Sequence, residues 1–293
     1  MKFRNWMRKK PVLGSLAVMA LAALIMDAVG LMNRLLPEGL AKDYLIQIML
    51  IALPLAAAIL LGYGWIYRRY GFGKTLLAGL FAVVIAAVAI LGAVATALVS
   101  EGIQWKAGAR ILLGILTIAG IGFREETLFR GIIASDLGLA FGRDARGVWK
   151  AVGISGLMFG LIHLTNFLAG VSLASTMVQA VNAFAIGMFL TAVYYRGGNI
   201  WALVFIHALI DTGGLFQSSF TTLSSAVDDI NRLSAASLIM VPVYAAVTAF
   251  LLRKKKMGQV LENLKEAAAA DQGPSDFGET PDDGPVESLD SAA

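Results

Sequence analysis

The chain has 293 residues, 58% apolar and only 15% charged, with two His, no Cys and a net charge of +4. About a quarter of the residues in a soluble domain are charged, so this composition is that of a membrane protein. The missing Cys excludes disulfides, thiolate-ligated metals and a thiol nucleophile.

A helix needs about 20 predominantly apolar residues to cross a bilayer, and eight stretches meet that need: 12–33, 44–67, 75–99, 110–134, 148–170, 172–195, 199–216 and 232–252. The first follows Lys2, Arg4, Arg8, Lys9 and Lys10, as a signal peptide would. Its length, and the lack of a small-x-small site before Asp27, make it a retained anchor. The third is the cleanest, without a charge from Thr75 to Val99. With the N-terminus in the cytoplasm, the inside segments collect 16 basic residues and the outside loops five, Arg34, Lys42, Lys106, Arg110 and Arg232. That asymmetry obeys the positive-inside rule. The expected fold is therefore an all-α, multi-pass bundle of about eight spans with both termini cytoplasmic, in the plasma membrane.

The charge is unevenly placed. Residues 1–256 carry 23 Lys/Arg against 11 Asp/Glu, whereas 257–293 carry one Lys against nine acids. The basic residues sit between apolar runs, which excludes nucleic acid as a partner. Beyond a helix-friendly stretch from Val260 to Ala270, the tail is rich in Gly, Pro, Ser and Asp. Such sequence buries too little to offset chain entropy, so 257–293 is expected to be an acidic, disordered cytoplasmic appendage. The expected division is 1–100 for the N-terminal helices, 101–256 for a catalytic core, and the tail.

Ionisable groups within spans are costly and mark function. The fourth span holds Arg124, Glu125, Glu126 and Arg130 in GFREETLFRGI. Either the helix stops near Gly122 and these lie in a loop, or it continues through them. The 12 residues of 111–122 are too few to cross, and apolar character resumes at Leu128. In a continuous helix Glu126 and Arg130 are i and i+4, set for an ion pair. Glu125 lies about 100° around the axis from Glu126 and stays available.

Both histidines fall in apolar spans. His163 follows Phe159 by four residues and precedes Asn166 by three; His207 precedes Asp211 by four, on one helical face. At about 1.5 Å per residue, Glu125, His163 and His207 lie within roughly 10 Å of one another in depth. No GxSxG elbow and no HExxH is present. A glutamate with two histidines can activate water as a general base and stabilise an oxyanion. The same three residues can instead ligate Zn2+ and leave a water position open.

In order along the chain, EETLFR (Glu125 to Arg130), FGLIH (Phe159 to His163) and HALID (His207 to Asp211) fit EExxxR, FxxxH and HxxxN/D. The segment 110–215 resembles the CPBP (CAAX protease and bacteriocin-processing, or Abi) family of intramembrane proteases, related to the type II CAAX prenyl endopeptidases. The resemblance implies an endopeptidase acting on a membrane-associated or lipidated protein or peptide. Glu125 and His163 would activate the water, and His207 with Asp211 would support the oxyanion. Glu126 and Arg130 would pair, with Phe159 and Asn166 beside the site. Asp211, an allowed variant, stands where many relatives have Asn; because an ionised Asp cannot donate a hydrogen bond to an oxyanion, it is either protonated, or orients His207, or leans toward a metal. No cofactor is expected to be required; the alternative is Zn2+ on Glu125, His163 and His207. Two other readings are open, a non-proteolytic scaffold of the same fold and a proton-coupled transporter, the latter weakened by the lack of an internal repeat.

Overall fold

A computed structural model describes residues 2–69 and 71–272. It is an all-α bundle: among the described residues the only β pairing is an isolated bridge between Trp105 and Thr221. The chain runs through α1 (Lys2–Lys9), α2 (Pro11–Leu35), α3 (Leu40–Leu60), α4 (Phe72–Ala78), α5 (Leu80–Val99) and α6 (Gly108–Glu126). A π-helical stretch, Thr127–Ala134, joins α6 without a break to α7 (Ser135–Phe141). Then come α8 (Ala145–Ile162), a 3-10 turn (His163–Phe167), α9 (Leu173–Gly197), α10 (Ile200–Gly214), α11 (Phe216–Phe220), α12 (Ala226–Asn231), α13 (Met240–Leu251) and α14 (Lys254–Gln272).

Each predicted span coincides with helix, but the regular picture needs correcting. Five helices are long and apolar enough to cross a membrane, and a sixth span counts if α13 and α14, bent by 76°, form one. The third predicted span is split at Gly79 into α4 and α5. The seventh, α10, has 15 residues; at about 1.5 Å each it reaches only about three quarters of the hydrocarbon thickness. The fourth is charged where it should be apolar, and it continues to Phe141.

Local chemistry sets the helix ends around the core. Asp144 caps α8 by accepting from the Gly147 N–H at 2.7 Å, Ser172 caps α9 through Ser175, and Asn199 caps α10 through Ala202. The α9–α10 turn is tight because Gly198 takes a left-handed φ of 81°. Asn199 fixes it further by donating from its amide to the Arg69 carbonyl at 2.6 Å.

The core is built on α9. Phe189, Leu190 and Tyr195 are fully buried against Val148, Val152 and Phe159 of α8 and Leu251 of α13. Small residues let α8 and α9 approach: a Cβ on Gly160 would stand 2.8 Å from the Ala180 carbonyl, and one on Gly187 2.9 Å from Phe159 Cβ. Such small-residue contacts drive helix association in lipid, where the hydrophobic effect between helices is lost.

The predicted disorder of the tail does not hold up to Gln272. Met257, Val260, Leu264 and Ala267 form a buried stripe along α14, and the Asn263 amide donates to the last carbonyls of α9, Tyr195 and Arg196, at 3.0 and 2.7 Å. Asp271 then accepts from both Arg4 and Arg8. Composition averaged over 257–293 hides this stripe, whose i, i+3, i+7 spacing is helical. The remainder of the predicted acidic appendage, 273–293, lies outside the described residues.

Candidate active site

The charged string of the fourth span is helical and lies inside the protein. Glu126 and Arg130 are fully buried, with Arg130 Nη1 donating to Glu126 Oε1 at 2.8 Å. The guanidinium also points Nη2 at the Gly187 carbonyl, 3.4 Å away, and its carbon sits 4.4 Å from the centroid of the Phe159 ring. A buried pair survives only when such additional partners offset desolvation. The π-helical stretch begins immediately after Glu126, and this local widening was not anticipated by a regular 100° step. It is accompanied by hydrogen bonds to its carbonyls: Ser135 Oγ donates to the Arg130 carbonyl and Tyr195 to that of Ala134, at 3.1 and 2.6 Å. π-helical turns are frequent at functional sites.

Glu126 has a second partner that the i, i+4 spacing could not reveal. His207 Nδ1 lies 2.6 Å from Glu126 Oε1, so one carboxylate oxygen holds both the guanidinium and the imidazole. The other ring nitrogen, Nε2, faces Glu125 Oε2 at 3.7 Å and Asp211 Oδ2 at 3.6 Å. Both distances exceed a direct hydrogen bond. The Glu125 and Asp211 side chains retain 21% and 19% exposure, whereas Glu126 and Arg130 have none. The site is thus stratified: a closed ion pair beneath, two partly exposed carboxyl groups above, and His207 joining them.

His163 enters from the end of α8. Its backbone N–H turns to the Gly160 carbonyl in the 3-10 turn, which frees the Phe159 carbonyl from the helical ladder. The His163 ring takes that carbonyl through Nδ1 at 2.7 Å, and Nε2 is left with its lone pair. Phe159 lies between the two imidazoles: its ring centroid is 4.9 Å from that of His163 and 5.8 Å from that of His207, both edge-on. Phe129 completes the cluster at 4.9 Å. Asn166 is engaged elsewhere. Its amide donates to Gln179 of α9 at 2.8 Å, and its carbonyl receives the N–H groups of Ala169 and Val171. It fixes the loop leading into α9.

One residue escaped the sequence reading. Gly122, one turn before Glu126, faces α10: a Cβ there would lie 3.0 Å from the Val204 carbonyl and 3.3 Å from the Ala208 amide. It is what lets α6 approach α10 beside His207. The signal available was a small residue four positions before a charged one, on the same helical face.

Zinc fits the donors in kind and not in spacing. Each imidazole gives its Nδ1 to an outer oxygen, Phe159 or Glu126, and keeps Nε2, the arrangement of ligating histidines. Those outer partners were not identifiable from sequence. Yet among the described residues no three His, Asp or Glu side chains stand close enough to share an ion.

Residues 107–213 match the family model described as type II CAAX prenyl endopeptidase Rce1-like, and all three motifs fall inside that match. Over that segment the chain is similar to the type II CAAX prenyl endopeptidases. Its long apolar helices make it a multi-pass membrane protein, with the segment related to CAAX-type intramembrane endopeptidases at its centre. No curated protein and no solved structure matches the chain. The match begins at the start of α6 and ends in α10, so this Rce1-like segment comprises the helices that bear the charged cluster and leaves out α2, α3 and α5.

Proposed function

We propose that the protein is an intramembrane endopeptidase that hydrolyses a peptide bond of a membrane-associated or lipidated protein or peptide, with water activated by Glu125 and His163. The observation that carries this reading is the pair of partly exposed carboxyl groups flanking His207 Nε2 above a sealed Glu126–Arg130 pair. Glu125 takes a proton from the water as its oxygen attacks the scissile carbonyl carbon, while the free Nε2 of His163 accepts from the same water and aims it. The carbonyl oxygen becomes an oxyanion. As an imidazolium, its charge balanced by three neighbouring carboxyl groups, His207 presents Nε2–H to that oxyanion. Glu125 then returns the proton to the leaving nitrogen as the C–N bond breaks, giving a carboxylic acid and an amine, and transfer of the acid's proton to the amine leaves a carboxylate and an ammonium group.

Asp211 takes a role that a carboxyl group can fill and an amide cannot. It stands beside His207 on one face of α10 and balances and orients the imidazole, in place of the direct oxyanion contact an Asn would make. Glu126 fixes the tautomer and rotation of His207 from the other side. Binding energy from the substrate's membrane anchor holds the scissile bond at this depth.

The experiment compares wild type, Glu125→Gln and His163→Ala in liposomes carrying a candidate lipidated substrate. Loss of one general acid–base group costs about 10²–10⁴-fold in rate, and cleavage by both variants at the wild-type rate ends the proposal. Because we read the reaction as metal-free, a chelator is expected to leave the rate unchanged. Elemental analysis of the active protein is expected to find no stoichiometric zinc; chelator-sensitive cleavage restored by zinc moves the mechanism to the alternative.

A further inference from the structure

A second cluster of charge lies well away from the carboxylates. Gly187 of α9 meets Arg130, and Arg196 is nine residues farther along the same helix, about 14 Å at 1.5 Å per residue. There, at the basic end of the bundle, a cavity of about 420 Å³ is lined by Lys74, Arg196, Arg253 and Lys256 with no acidic residue. None of the four makes an ion pair among the described residues. Arg196 keeps a buried Nε without a hydrogen-bond partner, while its Nη1 is held by the Leu251 carbonyl at 3.0 Å. Arg253 lies over the Phe250 ring at 3.8 Å, so its guanidinium is displayed on an aromatic shelf.

Four cations with no ion-pair partner among the described residues stand around one concavity against mutual repulsion, which an anion would relieve. The walls indicate which anion. Leu77, Ala78, Phe250 and Leu251 form the apolar side, and Leu77 and Phe250 are 71% and 60% exposed on helices of the membrane-spanning bundle. Basic charge above and apolar surface beside it, at a helix end near the bilayer surface, complement a headgroup phosphate with acyl chains running down the helices. A free phosphate would use the cations and leave the apolar wall without a partner.

We propose that this cavity is a binding site for the phosphate group of an anionic phospholipid. The occupant is held between the C-terminal ends of α9 and α13 and the first turns of α4 and α14. It would tie the α9 end, the α13–α14 bend and α4 together, joining the catalytic helices to the helix that docks the N-terminal segment.

The test uses the full chain purified in detergent and exchanged into nanodiscs of phosphatidylcholine with or without phosphatidylglycerol. Retained lipid is counted by native mass spectrometry and Tm is measured in parallel. Wild type is expected to keep phosphatidylglycerol at least tenfold over phosphatidylcholine and to melt higher with it. K74Q/R253Q/K256Q, which spares the structural Arg196, is expected to lose both the preference and the shift. R143Q/R146Q/K150Q removes the same charge around the α7–α8 turn and is expected to keep both. Equal loss in the two triple variants reduces the effect to general surface charge and overturns the proposal. An equal Tm rise from inorganic phosphate in phosphatidylcholine discs overturns the lipid assignment. So does a preference that emerges only after deletion of residues 273–293, because the cavity then serves the acidic tail.

Discussion

The first three membrane-spanning helices and the α8–α9 pair are built to opposite specifications. In α2, α3 and α5 only 28%, 17% and 17% of the central window is buried inside the protein, against 44% and 50% in the spans containing α8 and α9. The less buried helices are the more uniformly apolar ones: α5 has no charge at all, whereas the α8–α9 region carries Ser155, Thr191 and the glycines of the close contact. In water the most apolar segment is the core. In lipid it is the rim, because acyl chains solvate Leu as well as another helix does, and what holds the centre is packing of small residues and hydrogen bonds. The Rce1-like match follows the same division, covering the polar, well-packed part.

The sharpest way to break this comparison is to attack the sealed pair. Arg130→Met strands the Glu126 carboxylate in the interior and is expected to cost about 3–5 kcal/mol, the usual penalty for removing one partner of a buried ion pair. A large fall in Tm in detergent would register it. The double variant Glu126→Leu/Arg130→Met removes both charges and is expected to recover most of that stability. It leaves His207 Nδ1 without its partner, so cleavage should stay near zero. Recovery of both together would mean the pair serves packing alone.

A subtler variant separates geometry from stability. Gly122→Ala adds one methyl group against the Val204 carbonyl and the Ala208 amide. Overpacking of this size costs about 1–3 kcal/mol. Because the strained contact adjoins His207, a shift of a few tenths of an ångström is expected to lower cleavage, by less than the roughly 10²-fold that a misplacement of about 1 Å costs. The expected signature is a modest drop in Tm with a disproportionate loss of kcat. Parallel losses in both would assign Gly122 to packing only.

Much of the candidate site was legible because its residues are improbable where they stand. A buried charge or a lone His in an apolar run needs a partner, so Glu126 could be matched with Arg130 from spacing alone, and the depths of Glu125, His163 and His207 could be compared. Contacts between distant helices were not legible. The Glu126–His207 bond joins residues 81 apart, and nothing local in either helix encodes it. The freed Phe159 carbonyl depends on the 3-10 turn that follows Ile162, which no residue pattern in that segment announces. In the fold, apolar length located the helices but not their breaks: the split falls at Gly79, where the Ile206 side chain occupies the space a Cβ would take. The stripe on α14 was missed for a different reason, its signal being diluted by the acidic residues that follow.

The smallest effect is expected on the lipid-facing rim, and it is the one that tests the inversion directly. Leu91 of α5 is 69% exposed and Leu190 of α9 is fully buried. Truncating a buried Leu to Ala costs about 2–5 kcal/mol through lost contacts and the cavity left behind. For Leu91→Ala the neighbours are acyl chains that close around the smaller side chain, so the expected change lies within about 0.5 kcal/mol. Thermal unfolding in nanodiscs, where the lipid is present, is the appropriate measurement. A loss at Leu91 as large as at Leu190 would mean that α5 is covered by protein in the membrane, and the rim would then be an interface.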